Sequence, residues 1–106
     1  MEKMQDEALE TALAQREGWE RKDQKWMVKK FRFQSFKQAV SFVNRVADVA
    51  EELNHHPMIA LDFKLVTISL TSWKSAGITD LDFEEADLID RAFQSMGNEQ
   101  QNIGNE

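Results

Sequence analysis

The only two histidines of the chain, His55 and His56, are adjacent, and its only proline, Pro57, follows them directly. Histidine, with an ordinary pKa of about 6.5, can both donate and accept a proton near neutral pH. Proline disfavours the helical conformation in the residue before it, so we expect a helix to end here and the two imidazoles to diverge. The pair therefore predicts a site for acid/base chemistry at the end of a helix.

Glu51 precedes His55 by four residues. On a helix this spacing places the carboxylate beside the imidazole, where it would orient one ring nitrogen and favour the protonated form. The negative end of the helix dipole would act in the same direction. Alternatively, His55 and His56 only cap free carbonyls at the helix C-terminus. The spacing alone leaves the catalytic and the structural interpretation open.

Other chemistries have less support in the sequence. Zinc takes three or four ligands, and two adjacent histidines outside a helix point in different directions, so one ion could hardly use both. The chain has no cysteine, which excludes disulfides, thiolate nucleophiles and cysteine-ligated zinc. There is also no glycine-rich phosphate loop and no serine in a nucleophile elbow.

Two further candidates have structural alternatives of their own. Trp73 could form part of a ligand site, although a large aromatic side chain more often contributes to a core or an interface. Asp82 follows Thr79 by three residues, and its carboxylate would complete a capping box at the start of a helix.

The hydrophobic spacing predicts three helices and four strands in the order α-β-β-α-β-β-α. The helices are expected over 4–16, from an N-cap at Ser35 to Leu53, and from Thr79 to about Met96. This order is typical of an α+β two-layer sandwich, in which a four-stranded antiparallel sheet carries helices on one face. We expect one domain over 1–97 and a polar, disordered tail over 98–106.

The strands carry two changes of apolar parity. The change from Trp26 and Val28 to Phe31 and Phe33 predicts a bulge near residues 29–30. The change after Phe63 predicts either a bulge or a tight turn near residues 64–65. A further turn is expected at residues 23–24, and the polar residues Lys29, Lys30, Arg32 and Lys37 are interpreted as a solvated strand edge.

Composition limits the function classes. The net charge of −6 and the pI near 4.9 argue against direct nucleic-acid binding, which depends on neutralising phosphates. No apolar run approaches the roughly 20 residues of a membrane span, and the acidic amino terminus lacks the features of a signal peptide. The simplest expectation is a cytoplasmic protein without a membrane role.

The spacing of the candidate residues resembles the motif of the pterin-4a-carbinolamine dehydratases, with the matching positions Glu51, His55, His56, Pro57, Phe63, Trp73 and Asp82. Segments 18–19, 31–36, 42–47, 66–70 and 77–79 also resemble family segments. They occur in the family's order, and the resemblance extends from about residue 9 to residue 93.

The resemblance implies a fold, an oligomer and a reaction. The family fold is a four-stranded antiparallel sheet backed by helices, and subunits commonly join sheet edges into dimers or dimers of dimers. The reaction is the dehydration of 4a-hydroxytetrahydropterin to quinonoid dihydropterin, which links members to aromatic amino-acid hydroxylases through pterin recycling. The pterin is the substrate, and neither a metal nor a bound cofactor takes part.

The resemblance also implies roles for individual residues. His55 would be the general acid/base, His56 a substrate-contacting or auxiliary histidine, and Asp82 a support from the last helix. Glu51 would orient His55. The pterin pocket would be formed with Asn54, Pro57, Thr71, Ser72 and Trp73.

The chain departs from the family pattern at two places. Trp73 occupies the position where many members have a third histidine, so His55 and His56 would have to transfer the protons. The segment after Pro57 also lacks an aromatic residue that members often have. An alternative function is that of a non-catalytic member, since some relatives act as dimerisation cofactors or assist enzyme assembly.

Overall fold

In a computed structural model of the chain, three helices lie on one face of a four-stranded antiparallel sheet with the strand order β1-β2-β4-β3. The structure describes the backbone of residues 2–104 and the side chains of residues 2–97. This arrangement confirms the predicted α+β class and element order. The elements are α1 (Asp6–Ala14), β1 (Glu20–Lys22), β2 (Trp26–Arg32), α2 (Phe36–Leu53), β3 (Met58–Asp62), β4 (Leu65–Leu70), a 3₁₀ turn (Trp73–Ser75) and α3 (Asp80–Gly104).

Helix α2 begins at the predicted N-cap and buries the predicted face. The hydroxyl of Ser35 accepts a hydrogen bond from the backbone N–H of Gln38 at 3.1 Å, which confirms the predicted N-cap. The helix then buries one face on the sheet through residues three or four positions apart, as predicted: Ala39, Phe42, Val46 and Ala50.

Asn54, rather than Pro57, ends α2. Asn54 has left-handed backbone angles (φ 50°, ψ 45°), which asparagine tolerates better than most residues. Its N–H bonds to the carbonyl of Glu51 and the N–H of His55 bonds to the carbonyl of Ala50, the two bonds of a Schellman motif. The helix therefore stops at Leu53, before the effect of Pro57 on His56 can apply, and the chain turns sharply ahead of both histidines.

The predicted bulge in β2 is wrong. The strand pairs residue for residue with β4 from Met27 to Arg32. Met27 and Phe31 face the core, and Lys29 lies between them on the same face. Trp26 and Val28, from which the bulge was predicted, are half-buried residues of the opposite face of the strand. The core-facing position between Met27 and Phe31 is taken by the polar Lys29, whose amino group donates a hydrogen bond to Asp90 at 2.8 Å.

β1 pairs only with residues 26–28 of β2, so in the described part of the chain Lys29, Lys30 and Arg32 lie where β2 is paired on one side, with β4. The interpretation as a solvated strand edge therefore holds for the exposed Lys30 and Arg32, whereas Lys37 lies in α2.

The two hairpins follow the predicted turns. The first reverses at residues 23–25, where Asp23 and Gln24 both have positive φ angles. The second pairs Asp62 with Leu65, which leaves the two-residue turn 63–64 and a positive φ at Phe63. The second parity change is therefore a tight turn rather than a bulge.

The core is built around an aromatic cluster between the sheet and the helices. Phe31, Phe33, Phe42 and Phe93 have ring centroids 4.8–5.9 Å apart. Their tilted and edge-on contacts are those that aromatic rings prefer. This cluster holds α2 and α3 in fixed positions on β2, and these are the helices whose ends form the site described below.

Helix α3 continues to Gly104, beyond the end near Met96 that its apolar stripe predicts. The side chains of residues 98–106 lie outside the described residues, so the disordered tail stays a prediction. Over the described residues, no helix is long and apolar enough to cross a membrane.

We expect Asn54→Val to lower the free energy of unfolding by about 1–2 kcal/mol, because a β-branched residue is strained at this left-handed position. Asn54→Gly should unfold close to the wild type, since glycine adopts these angles without strain. Urea denaturation of the three proteins measures the difference. Equal stabilities of the valine and glycine variants would contradict the role given to Asn54.

Candidate active site

A cleft of about 440 Å³ opens between the C-terminal end of α2 and the segment that joins β4 to α3. Its size is that of a pocket for a small molecule. Five of the residues that line the cleft are candidates named from the sequence: Asn54, His55, His56, Ser72 and Trp73. The other four lining residues are Lys74, Ser75, Thr79 and Leu81.

His55 is held by Asp82, which lies 27 residues further along the chain. The Nε2 atom of His55 is 2.6 Å from Oδ1 of Asp82. The imidazole is 13 % exposed and the carboxyl group is fully buried. An ionised carboxylate can only accept hydrogen bonds, so Nε2 carries the proton of this contact and Nδ1 is the nitrogen left for a ligand. In the neutral imidazole Nδ1 can accept a proton, and in the charged form it can donate one.

The other oxygen of Asp82 is also fully engaged. Oδ2 accepts hydrogen bonds from the hydroxyl of Ser72 at 2.8 Å and from the backbone N–H of Thr79 at 2.9 Å. The hydroxyl of Thr79 lies 2.9 Å from that of Ser72 and accepts the N–H of Leu81. The predicted capping box between Thr79 and Asp82 is therefore confirmed, and the same carboxylate also fixes His55.

Glu51 contacts His56 and not His55, so the predicted pairing is wrong. Oε2 of Glu51 is 2.5 Å from Nε2 of His56. The prediction assumed that His55 continues the helix, but the left-handed Asn54 takes His55 out of helical register and brings His56 back over the last turn. Both side chains of this pair are largely exposed, at 57 % for His56 and 76 % for Glu51, so solvent weakens the interaction.

Trp73 projects from a short closed loop. Ser72 and Gly77 bond to each other through their backbones, and Ala76 between them has left-handed angles. Trp73 is 72 % exposed, and its ring meets that of Trp26 edge-on, with the ring centroids 5.2 Å apart. A large exposed aromatic at the wall of a cleft offers a flat surface to a ligand.

Two predicted pocket residues lie away from the cleft wall. Thr71 is buried and its hydroxyl donates to the carbonyl of Lys25 at 2.6 Å, so it ties β4 to the first hairpin. Pro57 leads from His56 into β3 and is half-buried. Within residues 2–97, no group of three histidine, aspartate or glutamate side chains is arranged to hold a metal ion.

Glu85 is a buried acidic residue close to Asp82 that the sequence did not single out. It is fully buried one turn after Asp82 on α3, and neither of its carboxyl oxygens has a hydrogen-bond partner among the described residues. Burial raises the pKa of Glu85 to about 7, while the nearby His55 acts in the opposite direction. The signal was available, because Glu85 occupies an inward position of α3 between Asp82 and Ile89, where an apolar residue is expected.

The sequence matches a known protein family. The sequence profile of the family described as Pterin 4 alpha carbinolamine dehydratase matches residues 2–92. A protein of Herpetosiphon aurantiacus is 46% identical over 86 residues, which cover 81% of this chain and 88% of that protein. A protein of Rubrobacter xylanophilus is 40% identical over 88 residues, covering 83% and 82% of the two chains. Both carry the provisional name pterin-4-alpha-carbinolamine dehydratase.

Solved structures agree on the fold. The crystal structure of a transcriptional coactivator/pterin dehydratase from Brucella melitensis superposes with a TM-score of 0.82 at 26% identity, covering 85% of this chain and 97% of that one. A pterin dehydratase-like protein described as a RuBisCO assembly factor in the α-carboxysome superposes with a TM-score of 0.63 at 22% identity, covering 74% and 92%. The second likeness shows the fold alone.

The raised pKa of Glu85 predicts a characteristic pH dependence of stability. A carboxyl that titrates near 7 in the folded protein and near 4.5 when unfolded opposes folding once it is ionised. The wild type should therefore lose about 3 kcal/mol of unfolding free energy, relative to Glu85→Gln, as the pH rises from about 4.5 to about 8.

Urea denaturation across this pH range measures the effect. Glu84→Gln is the matched control, because Glu84 is the exposed neighbour on the same helix and its substitution should leave the pH dependence unchanged. Parallel stability curves for the wild type and Glu85→Gln would contradict the burial of an ionisable Glu85.

Proposed function

The chain belongs to the pterin-4a-carbinolamine dehydratase family, and we propose that it catalyses the dehydration of 4a-hydroxytetrahydropterin to quinonoid dihydropterin. The observation that carries this proposal is the 2.6 Å contact between His55 and the buried Asp82 at the wall of a cleft. It gives one imidazole a fixed orientation and a free ring nitrogen, which is what a proton-transferring side chain needs.

The chemistry requires two proton transfers and no redox step. The bond between C4a and the hydroxyl oxygen breaks, the oxygen takes up a proton and leaves as water, and N5 gives up its proton as the N5–C4a double bond forms. His55 is the general acid/base in this proposal, acting through Nδ1, because Nε2 is bound to Asp82. General acid/base catalysis of this kind typically contributes 10²- to 10⁴-fold.

His56 and Trp73 have supporting roles in the proposal. His56 shares the cleft with His55 and is also bound through Nε2, by Glu51, so its Nδ1 can contact the substrate or take the second proton. Its exposed contact with Glu51 orients it less firmly than Asp82 orients His55. Trp73, exposed at the opposite wall, would stack on the flat pterin ring.

The alternative is a non-catalytic member that acts through protein contacts. It is supported by the solved structure described as a RuBisCO assembly factor, which shares the fold at 22% identity. The exposed apolar side chains Met58, Ile59 and Phe63 could then contact another protein. The two proposals differ in whether the isolated protein accelerates the dehydration.

We also propose that the chain forms a homodimer through the free edge of β3. This strand has five residues against three in β1, the other edge, and it presents Met58 (60 % exposed) and Ile59 (37 % exposed). An apolar edge strand of this length is a template for pairing with a second strand. Phe63, 66 % exposed in the following turn, extends the same apolar edge.

We expect His55→Ala and Asp82→Asn each to lower the catalysed rate by about 100-fold or more, since the first removes the proton carrier and the second its orienting carboxylate. The measurement is the conversion of 4a-hydroxytetrahydropterin, followed by absorbance against the spontaneous reaction. Glu51→Gln makes the same change at the exposed pair of His56 and should lose less than about 10-fold.

A wild-type protein that does not exceed the spontaneous rate would overturn the proposed activity and favour the alternative. Circular dichroism of each variant separates loss of activity from loss of fold, because Asp82 also caps α3. A fully active Asp82→Asn variant would remove the main support for His55 as the proton carrier.

For the dimer, we expect the wild type to elute with a mass of about twice 12.3 kDa in size-exclusion chromatography with light scattering. Met58→Lys should shift the equilibrium to the monomer, because a charge on an edge strand opposes pairing. Glu20→Lys reverses a charge on the β1 edge and should leave the dimer intact. A monomeric wild type, or a dimer disrupted only by Glu20→Lys, would contradict the β3 interface.

A further inference from the structure

Glu85 is a fully buried carboxyl group that the chemistry proposed above does not use. It lies one turn along α3 from Asp82, and within residues 2–97 neither of its oxygens has a hydrogen-bond partner. Asp82, in contrast, has hydrogen bonds to both oxygens. A buried polar group without a partner destabilises the fold, and an apolar side chain of similar size would avoid this cost. Packing therefore gives no reason for a glutamate at this position.

The charged groups around Glu85 belong to the active site. Burial has the largest influence and favours the neutral carboxyl; His55 then favours the ionised form, Asp82 opposes it and His56 favours it. Such an influence is mutual, because two interacting groups change each other's ionisation by the same free energy. If the charge of His55 stabilises the carboxylate of Glu85, that carboxylate stabilises the charge of His55.

We propose that Glu85 is a positioning residue of the dehydration site, whose carboxylate helps Asp82 to stabilise the imidazolium form of His55. His55 then keeps its proton to a higher pH than Asp82 alone would allow. This inference rests on the proposed function for its meaning, but the interaction between the two side chains can be measured without any activity.

Glu85 ionises in the pH range in which histidines ordinarily titrate. With a pKa of about 7, Glu85 loses its proton to solvent as the pH rises through neutrality. The charge that favours a protonated His55 thus develops over the same pH range in which a histidine ordinarily loses its proton.

Removing the charge of Glu85 should shift the pH profile of the activity in the same direction whether His55 acts as the acid or as the base. If the charged His55 acts as an acid, activity falls as it loses its proton. If the neutral His55 acts as a base, activity rises over the same range. Removing the charge of Glu85 makes His55 lose its proton at lower pH, so the limb of the pH profile that depends on this histidine moves to lower pH in both cases.

The experiment compares the wild type, Glu85→Gln and the exposed control Glu84→Gln. Dehydratase rates from about pH 5.5 to 9 should show the histidine-dependent limb shifted down by on the order of one pH unit in Glu85→Gln and unchanged in Glu84→Gln. In parallel, NMR of the imidazole ring protons follows His55 directly. The chain has two histidines, so His56→Gln assigns the signals.

The NMR midpoint of His55 should move down in Glu85→Gln by the same amount as the limb. If the wild type has no activity, the proposed function fails, while the NMR titration still decides on Glu85. An unchanged His55 midpoint in a folded Glu85→Gln protein overturns the inference, and so does an equal shift in Glu84→Gln.

A reciprocal measurement covers the case in which Glu85→Gln does not fold. In His55→Gln, the carboxyl carbon of Glu85, followed by ¹³C NMR, should titrate at a higher pH than in the wild type. The substituted side chain is at the cleft wall and partly exposed, so this variant should fold. An unchanged midpoint of Glu85 would overturn the inference.

Discussion

The hydrogen bond between His55 and Asp82 joins the end of one helix to the beginning of another, and most of the site depends on it. Asp82 can hold the imidazole only because its carboxylate is itself fixed, by the hydroxyl of Ser72 and the N–H of Thr79. Those groups come from the loop after β4 and from the N-cap of α3. Three separate segments thus converge on one buried carboxylate, and the aromatic cluster beneath them keeps α2 and α3 at the required separation.

A second constraint is the backbone of Asn54. Its left-handed angles end α2 and decide which acidic residue each histidine meets. Had the helix continued for one more turn, His55 would face Glu51 on an exposed surface. Because the chain turns at Asn54, His55 instead reaches the interior and Asp82, while the exposed Glu51 is left to His56.

The fold and the membership of the site were largely predictable from the sequence, whereas its pairings were not. Apolar spacing located α2, α3 and the four strands, and the three-residue spacing of Thr79 and Asp82 predicted the capping box. The errors arose where a polar residue occupies an inward position. In β2 a core-facing position holds Lys29, whose partner Asp90 is 61 residues away, so the apolar pattern was followed through Trp26 and Val28 on the opposite face. Glu85 was overlooked because a glutamate on a helix is ordinarily exposed, and its burial becomes visible only when α3 is packed.

The partner of His55 illustrates the same limit. A spacing of four residues predicts a contact only while the helix lasts. The helix α2 stops at Leu53, where its apolar face predicts the end, whereas the pairing of Glu51 with His55 assumed one further turn. Long-range contacts such as that with Asp82 depend on how the elements assemble, which spacing along the chain does not encode. The family resemblance named Asp82 as a site residue but left its contact to be found.

Asp82 both holds His55 and caps α3, so its presence in a related protein does not by itself show that the protein has kept the reaction. The residue begins a helix as well as holding a histidine, so a lineage that abandoned the reaction would still be under selection to keep an acidic side chain there. His55 has no comparable role in the fold, since the hydrogen bond of its side chain to the described part of the chain is the one to Asp82. Among relatives of this chain, the histidine is therefore the better marker of retained chemistry, and the aspartate alone is compatible with a protein that has become a scaffold.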